Sequence, residues 1–215
     1  MTPISITYVT SSPFKREENR LLTDECRLED GTQVGDAFTF EITELTIREA
    51  LEVDIAVMVT EEVKSAYQVL KVPCIVEHAG LIFDDYRDAG YPGGLTKPIW
   101  NTLSSSFVQE THSAGRAATA RAVVAYCDGK RVHTFTGESS GVISTEPRGR
   151  RAFYWDTVFV PTDNNPEALT YAEIVDRTDM GLKYKVMRLS QSTKAMLAFL
   201  EWRRHNEPDL WDVTF

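Results

Sequence analysis

Alternating apolar and polar residues indicate strands in the first part of the chain. Residues 4–9 (ISITYV) alternate with a period of two, and Phe38, Phe40 and Ile42 repeat the pattern. Side chains with this period lie on opposite faces of a strand, so one face can be buried while the other is not. Residues 72–76 (VPCIV) form a short apolar run, which predicts a strand buried on both faces.

Helical segments separate these strands. Ser12 stands before Pro13, and this order predicts a helix start, because Ser caps free backbone N–H groups and Pro tolerates the first helical position. Residues 61–70 (EEVKSAYQVL) predict a second helix. The strand, helix, strand order predicts an α/β fold with a sheet at its centre.

The middle of the chain predicts β structure. Residues 122–127 and 131–136 are apolar runs on either side of Asp128-Gly129-Lys130. An Asp-Gly pair between two such runs predicts a hairpin. Residues 153–160 predict a further strand that ends at Pro161.

The last predicted element is an amphipathic helix over residues 192–204. Met196, Phe199 and Leu200 recur in it at helical spacing, and we expect this apolar stripe to pack in the core.

Composition narrows the class of protein. Of 215 residues, 42% are hydrophobic and 26% are charged, which is typical of a globular domain, and the net charge is -9. No stretch approaches the roughly 18 apolar residues of a membrane helix, and the first ten residues lack a secretion pattern. Three dispersed cysteines suit a reducing cytoplasm. The acidic balance disfavours nucleic acid polymers but permits a small phosphorylated ligand.

Three segments contain residues suited to ligand binding or catalysis. Residues 10–15 (TSSPFK) lead from a strand into a helix, where hydroxyls, N–H groups and a lysine can bind an anion. Residues 77–81 (EHAGL) follow a predicted buried strand, and their Glu and His can hold a metal or accept a proton. Residues 147–156 place three arginines before three aromatic residues, a pattern that suits phosphate and base contacts. Each segment also has an ordinary structural interpretation, as a capped helix, a polar loop or a solvated turn before a core strand.

The loop after the first strand is similar to a known signature, T-G-N-x-x-K-x-x-E. Thr10, Lys15 and Glu18 match it, while Ser11 and Ser12 replace its Gly and Asn.

Four later segments extend the similarity in the same order along the chain. Residues 75–81 (IVEHAGL) are similar to a strand that ends in an acidic pair, and residues 91–93 (YPG) to the Pro-Gly turn after it. Residues 141–149 resemble a G-x-I-x-x-P-R-G run. Residues 153–159 (FYWDTVF) resemble F-G-[WY]-D-P-x-F, and residues 170–173 (TYAE) follow this motif. By these motifs nearly the whole chain resembles the inosine-triphosphatase family.

The resemblance implies a fold and an activity. The fold is the ITPase-like, anticodon-binding-like α/β fold, with a central mixed sheet, flanking helices and a β-rich second lobe. Residues 1–215 would form one such domain, with a cleft between two lobes. The activity is hydrolysis of a non-standard purine nucleoside triphosphate to monophosphate and pyrophosphate, assisted by Mg²⁺ or, as an alternative, Mn²⁺. A homodimer is also implied, and Trp202 and Trp211 are expected to be exposed.

The resemblance also assigns roles to residues. Lys15, Glu77 and His78 correspond to the catalytic positions. Glu77, His78 and Glu49 correspond to metal ligands, with Glu44 and Glu52 as alternatives to Glu49. The substrate contacts correspond to Thr10, Ser11, Ser12, Lys15, Ala79, Phe153, Tyr154, Trp155, Asp156, Lys185, Gln191 and Ser192.

Two departures fall on functional positions of the family. His78 replaces the second acidic residue, a metal ligand and proton acceptor, which predicts weaker Mg²⁺ dependence or a preference for Mn²⁺. Gln191 and Ser192 replace the His and Arg of an S-H-R motif that holds the purine, which predicts altered or broader base specificity. A nucleotide-binding protein without turnover is the second hypothesis. A structural or partner-binding module is the third.

Overall fold

One mixed sheet of seven strands organises the computed structural model, which describes residues 2–47, 50–150 and 154–208. The strands are β1 (Ile4–Val9), β2 (Phe38–Thr43), β3 (Cys74–Phe83), β4 (Pro92–Gly93), β5 (Ala117–Cys127), β6 (Val132–Ile143) and β7 (Phe159–Pro161). Their order is β2-β1-β3-β5-β6-β7, with β4 beside β3. β1 runs parallel to β2 and β3, and the remaining pairs are antiparallel.

Helices flank the sheet. They are α1 (Pro13–Glu25), α2 (Val34–Ala37), α3 (Ile55–Leu70), α4 (Thr96–Leu103), α5 (Phe107–Glu110), α6 (Tyr171–Asp176), α7 (Gly181–Tyr184) and α8 (Gln191–His205). Short 3-10 segments cover Asp84–Ala89, Ser104–Ser106 and Tyr154–Thr157, and a π-helical turn covers Lys185–Leu189. Among the described residues, none of these helices has the length and apolar content needed to span a membrane.

The core divides into three hydrophobic clusters. The first packs α1 and α8 on one face of the sheet, with Tyr8, Leu22 and Phe199 at its centre. The second packs α3 on the opposite face through Val59 and Val63. A third cluster fills the half of the molecule that contains α4 to α6. Because β3 and β5 contribute to all three clusters, both halves share one sheet.

Several sequence-based predictions are confirmed. β1, β2 and the β5–β6 hairpin form where the patterns place them. Ser12 caps α1, and its hydroxyl accepts the backbone N–H of Lys15 at 3.4 Å. The stripe of Met196, Phe199 and Leu200 on α8 is buried as expected.

Other predictions need correction. α3 begins at Ile55, six residues before the predicted start at residue 61, because the Asp54 side chain caps it by accepting from Ala56 N at 2.8 Å. The strand predicted over residues 153–160 is wrong: Tyr154–Thr157 is a 3-10 turn, and only Phe159–Pro161 is extended. Phe153 lies outside the described residues.

Trp202 is not exposed as predicted. Its ring packs 4.5 Å from the ring of His133 and 5.4 Å from that of Phe135. The side chain is half-buried, and Trp211 lies outside the described residues, so the homodimer stays a prediction.

Candidate functional site

A cleft of about 470 Å³ opens beyond the carboxyl end of β1. β3 is longer than predicted, so Glu77 and His78 lie within this strand rather than after it. The cleft gathers most of the predicted site residues, namely Thr10, Ser11, Ser12, Lys15, Glu77, His78, Ala79, Tyr154 and Trp155. It also contains Thr46, Glu62 and Lys97, to which the sequence assigns no role.

Hydroxyl groups of the loop between β1 and α1 stabilise its conformation. Thr10 Oγ1 accepts the N–H of Ser12 at 3.2 Å, and Ser12 Oγ accepts the N–H of Lys15 at 3.4 Å. The amino end of the 13-residue helix α1 therefore adjoins the cleft. Helix dipoles and backbone N–H groups at such an end favour a bound anion.

Glu77 orients Lys15 at the cleft. Oε2 of Glu77 lies 2.9 Å from Nζ of Lys15, and Nζ also donates to the backbone oxygen of Glu77. The same carboxylate accepts the Tyr8 hydroxyl at 3.2 Å and the Ser192 hydroxyl at 3.1 Å. Burial and then the charge of Glu77 raise the pKa of Tyr8 well above its usual value, so Tyr8 stays a donor. Both oxygens of Glu77 are thus engaged by donors of the protein.

His78 points away from this network. Successive residues of a strand face opposite sides of the sheet, and His78 lies on the side of α3, where its Nδ1 is 3.9 Å from Oε2 of Glu62. This distance is too long for a hydrogen bond. Burial, followed by the positive charges of Lys15 and Lys97, lowers the pKa of His78 to about 3. The imidazole is therefore neutral at physiological pH.

Two residues of the cleft were missed by sequence reasoning. Glu62 is a charged residue on the buried face of α3, between Val59 and Val63. A helical wheel of α3 would have found it, because it breaks an apolar stripe. Lys97 lies in the first turn of α4, and its Nζ is 5.9 Å from the ring centre of Tyr154. This contact joins segments distant in sequence, so no local pattern predicts it.

Tyr154 and Trp155 occupy different environments. Tyr154 has φ of 45°, a left-handed conformation that favours glycine, the residue at this place in the family motif. Its ring lies in the cleft wall, half-buried. Trp155 is 4% exposed and packs on Phe159 and Tyr171, so most of its ring belongs to the core.

Asp156 and Lys185 meet in the core. Lys185 Nζ lies 2.7 Å from Oδ2 of Asp156 and 3.1 Å from Oε1 of Glu18. The ammonium also lies 4.8 Å from the ring centre of Tyr171. This buried set joins α1 to the Tyr154–Thr157 turn, and Asp156 and Lys185 are absent from the described lining of the cleft. Their predicted contact with substrate stays a prediction.

Two residues depart from the S-H-R motif, Gln191 and Ser192. Each of them makes a contact with another protein side chain. The Gln191 side chain is buried, and its Oε1 accepts the Tyr171 hydroxyl at 3.2 Å. Ser192 donates to Glu77 and lines a second, water-sized cavity of about 20 Å³ beside it. Their predicted role in reading the base also stays a prediction.

The arginine segment contributes structural contacts among the described residues. Arg148 donates to the backbone oxygen of Ala168 at 2.8 Å and lies 3.5 Å from Glu173. The side chain of Arg150 is 92% exposed, and Arg151 lies outside the described residues.

The predicted metal ligands do not come together in the described part of the chain. Glu49 lies outside it, Glu44 is exposed and bonds to Arg16, and Glu52 accepts the N–H of Val53 at 2.7 Å. Glu77 is engaged by three donors on the face opposite to His78. Within residues 2–47, 50–150 and 154–208, no three His, Cys, Asp or Glu side chains form a group that could hold a metal. A site built on Glu77 and His78 together does not fit this geometry.

Comparisons with known proteins agree with this architecture. The dITP/XTP pyrophosphatase of Methanopyrus kandleri is 34% identical over 137 residues, which cover 62% of this chain and 66% of that protein, just under two thirds of its length. The dITP/XTP pyrophosphatase of Thermococcus kodakarensis is 27% identical over 203 residues, or 94% of this chain and 98% of that protein.

A solved structure shares the fold. The Ham1 protein of Staphylococcus aureus superposes with a TM-score of 0.60 and 14% identity, over 94% of this chain and all of that one. The predicted α/β fold is thereby confirmed. The sequence pattern of the Ham1 family matches residues 6–202. Since this match covers most of the chain, the protein belongs to the Ham1 family.

Proposed function

We propose that the protein is a nucleoside-triphosphate pyrophosphatase. The observation that carries this proposal is the convergence of Lys15, Lys97 and the amino end of α1 on one cleft. These groups suit a polyanion, and relatives over much of the chain are named dITP/XTP pyrophosphatases. In this reaction, water attacks the α-phosphorus and the bond from that phosphorus to the bridging oxygen breaks. The products are the monophosphate and pyrophosphate.

Charge compensation is the first task of the site. A nucleoside triphosphate carries about four negative charges, and more charge develops on the leaving pyrophosphate. Lys15 is fixed by Glu77 and can bind phosphate oxygens without much further loss of side-chain freedom. Lys97, on α4, adds a second cation to the same cleft. The N–H groups at the start of α1 add a third positive region.

We propose that His78 accepts the proton from the attacking water when the phosphates of the substrate are bound. A base with a pKa of about 3 accepts protons weakly, because efficient general bases have pKa values near the operating pH. Phosphates bound to Lys15 and Lys97 would offset the two charges that lower the pKa of His78. We therefore expect the substrate to raise the pKa of this imidazole in part as it binds, because burial, the larger cause of the low pKa, remains.

Enzymes of this family generally depend on a divalent metal. Mg²⁺, with Mn²⁺ as the alternative, remains our proposed cofactor, but no step is assigned to a metal held by Glu77 and His78, for the geometric reason given above.

Altered base specificity is part of the proposal. Gln191 is buried against Tyr171, so the aromatic wall at Tyr154 is the better candidate for contact with the base. Because Tyr154 stands where the family motif has glycine, its ring narrows the cleft. We expect a substrate range different from, or broader than, inosine and xanthosine triphosphates.

Pyrophosphate release from a panel of standard and modified nucleoside triphosphates tests this function. We expect equimolar monophosphate and pyrophosphate, with ¹⁸O from labelled water in the monophosphate. Lys15→Ala and Lys97→Met should each lower kcat/KM by tenfold or more. Lys64→Ala, an exposed lysine on α3 paired with Glu61, is the matched control and should leave it unchanged. Label in the pyrophosphate, or release of orthophosphate, would contradict attack at the α-phosphorus.

A binding protein without turnover is the second candidate. The low pKa of His78 and the occupied carboxylate of Glu77 favour it. It predicts a nucleotide-dependent rise in Tm, weakened by Lys97→Met, with no product from any member of the panel. His78→Asp should then restore some turnover. A structural module would show neither a thermal shift nor turnover.

A further inference from the structure

A second pocket, of about 180 Å³, lies toward the amino end of β1, whereas the cleft lies beyond its carboxyl end. Its lining includes the first half of β1 and the residues that lead into β3, Val72 and Pro73. The ladder between β1 and β3 begins at Thr7 and Cys74, because Pro73 has no N–H group with which to extend it. β1 begins earlier, at Ile4, so a gap remains beside its first residues.

Arg203, on α8, is a buried cation that lines this pocket. Its side chain is 7% exposed, and its Nη1 donates to the backbone oxygen of Asn206 at 2.7 Å. Among the described residues its carboxylate partner is Glu207, at 3.5 Å, but the side chain of Glu207 is 84% exposed. Water screens an ion pair of this kind, so the pair compensates little for the lost hydration of the guanidinium. An anion bound in the pocket would compensate it better.

The Tyr126 hydroxyl is a second polar group of the pocket, and it has no hydrogen-bond partner among the described residues. Tyr126 is 2% exposed, and burial raises the pKa of its hydroxyl to about 12, although the charge of Arg203 acts in the opposite direction. The hydroxyl is therefore protonated at physiological pH and can donate. Because a buried donor without an acceptor is unfavourable, Tyr126 independently indicates that the pocket receives a hydrogen-bond acceptor.

The rest of the lining determines the size and polarity of the ligand. Ile6, Val72 and Pro73 are apolar, and the Ser5 hydroxyl is engaged, because it donates to Glu41 at 3.0 Å. A cavity of about 150 Å³ can hold benzene, so this pocket suits a ligand with one ring or a short branched chain. Pockets of this kind bind a mainly apolar molecule and orient it through a few polar groups.

We propose that this pocket binds a small carboxylate with an apolar body, and that Arg203 and Tyr126 donate hydrogen bonds to the carboxylate oxygens. Guanidinium and phenol groups both supply the donors that such an anion needs. The described lining of the pocket shares no residue with that of the cleft. The site is therefore separate from the nucleotide cleft, and it does not depend on the proposed function.

Binding of 4-fluorobenzoate to the full chain tests the proposal. The ¹⁹F signal of this probe shifts and broadens when it binds, and 4-fluorobenzyl alcohol is the matched probe without a charge. We expect one 4-fluorobenzoate per chain, bound more tightly than the alcohol by about tenfold or more. Inorganic phosphate at the same concentration should not displace it, because phosphate leaves the apolar part of the pocket empty.

Variants of the two donors test their roles. Arg203→Met should lower the affinity for 4-fluorobenzoate by about tenfold or more. It should not lower stability, because an apolar side chain of similar size often replaces a poorly compensated buried charge without loss. Tyr126→Phe keeps the ring and should lower the affinity by about threefold or more. Urea unfolding of each variant without ligand checks that the fold is kept.

Arg204→Met is the matched control for Arg203→Met. Arg204 is the next residue of α8, pairs with Asp30 at 2.9 Å and is absent from the described lining of the pocket. The affinity of this variant for 4-fluorobenzoate should therefore equal that of the unaltered chain.

Several outcomes would overturn the proposal. Equal affinity in Arg203→Met and the unaltered chain, or equal affinity for 4-fluorobenzoate and the alcohol, would show that no donor recognises the carboxylate. Displacement by phosphate would indicate a site for inorganic anions instead. Loss of binding in Lys15→Ala would place the probe in the nucleotide cleft. None of these measurements uses a nucleotide, so their result is independent of pyrophosphate release.

Discussion

At the residue level, Lys185 is a cation that is buried in the core. Its ammonium is 2% exposed and lies between the carboxylates of Asp156 and Glu18. A buried cation is tolerated only where opposite charges and hydrogen bonds compensate its loss of hydration. The same set connects α1 to the turn that carries Tyr154, so it helps to fix one wall of the cleft.

Replacing Lys185 by methionine should destabilise the fold. The change keeps side-chain length but leaves two buried carboxylates without this cation, at a cost of about 3–5 kcal/mol. Urea unfolding at pH 7 measures the difference. Lys183→Met removes an exposed lysine that pairs with Glu25, and it should change the free energy of unfolding by less than about 0.5 kcal/mol. A similar small effect for Lys185→Met would show that the buried pair adds nothing to stability.

Tyr154 combines an uncommon backbone with a place in the cleft wall. With φ at 45°, Tyr154→Gly should remove about 1 kcal/mol of strain, so stability should not fall much. If the ring stacks on the base, its loss should raise KM about fivefold or more, since stacking contributes roughly 1–3 kcal/mol. Tyr154→Phe keeps the ring and is the matched control. An unchanged KM in Tyr154→Gly would place the base elsewhere.

At the level of elements, α3 depends on its cap. Asp54 accepts the N–H of Ala56 at 2.8 Å and that of Val57 at 3.4 Å. Asp54→Ala should lower the free energy of unfolding by about 1 kcal/mol, whereas Asp54→Asn retains a capping oxygen and should cost much less. Chemical denaturation of both variants makes the comparison. Equal losses would mean that the charge of Asp54, rather than its cap, is what stabilises α3.

The start of α3 also shows where the local sequence pattern fails to predict secondary structure. Residues 55–59 are mostly β-branched, so their propensity disfavours a helix. The Asp54 cap and the burial of Ile55 and Val59 on the sheet together make them helical. Residues 154–157 show the opposite case. Their aromatic, strand-like composition yields a 3-10 turn, because Asp156 bonds to Lys185 from a distant helix-like segment. Alternating strands such as β1 and β2 were predictable since period-two burial is local.

The site residues divide in the same way, into those that local motifs predict and those that only tertiary packing brings together. Motifs located the loop at residues 10–15 and the Glu77-His78 pair, because these lie in contiguous segments. Lys97 and Glu62 enter the cleft only when α3 and α4 both pack against β3. The role of Glu77 in holding Lys15 depends equally on long-range contacts with Tyr8 and Ser192. Side-chain partners of this kind follow from tertiary packing, which one sequence does not specify.

At the level of the whole molecule, the cysteines lie on both faces of the sheet. Cys26 belongs to the cluster beneath α1 and α8, and Cys74 and Cys127 belong to the cluster beneath α3. All three are buried free thiols. Burial raises the pKa of Cys26 and Cys127, and burial together with the neighbouring Cys127 raises the pKa of Cys74 to about 12. Because the thiolate is the reactive form, each thiol should be inert at pH 8 while the fold is closed.

Thiol labelling therefore tests whether the predicted single domain unfolds as one unit. We expect no alkylation of native protein by iodoacetamide at pH 8, and three labelled cysteines in guanidinium chloride. In low denaturant, Cys26, Cys74 and Cys127 should react at one common rate, because β3 and β5 tie the clusters on both faces of the sheet together. Mass spectrometry of peptides gives each rate. Faster labelling of Cys26 than of Cys74 would mean that the α1–α8 face opens by itself, and that the two faces are separate cooperative units.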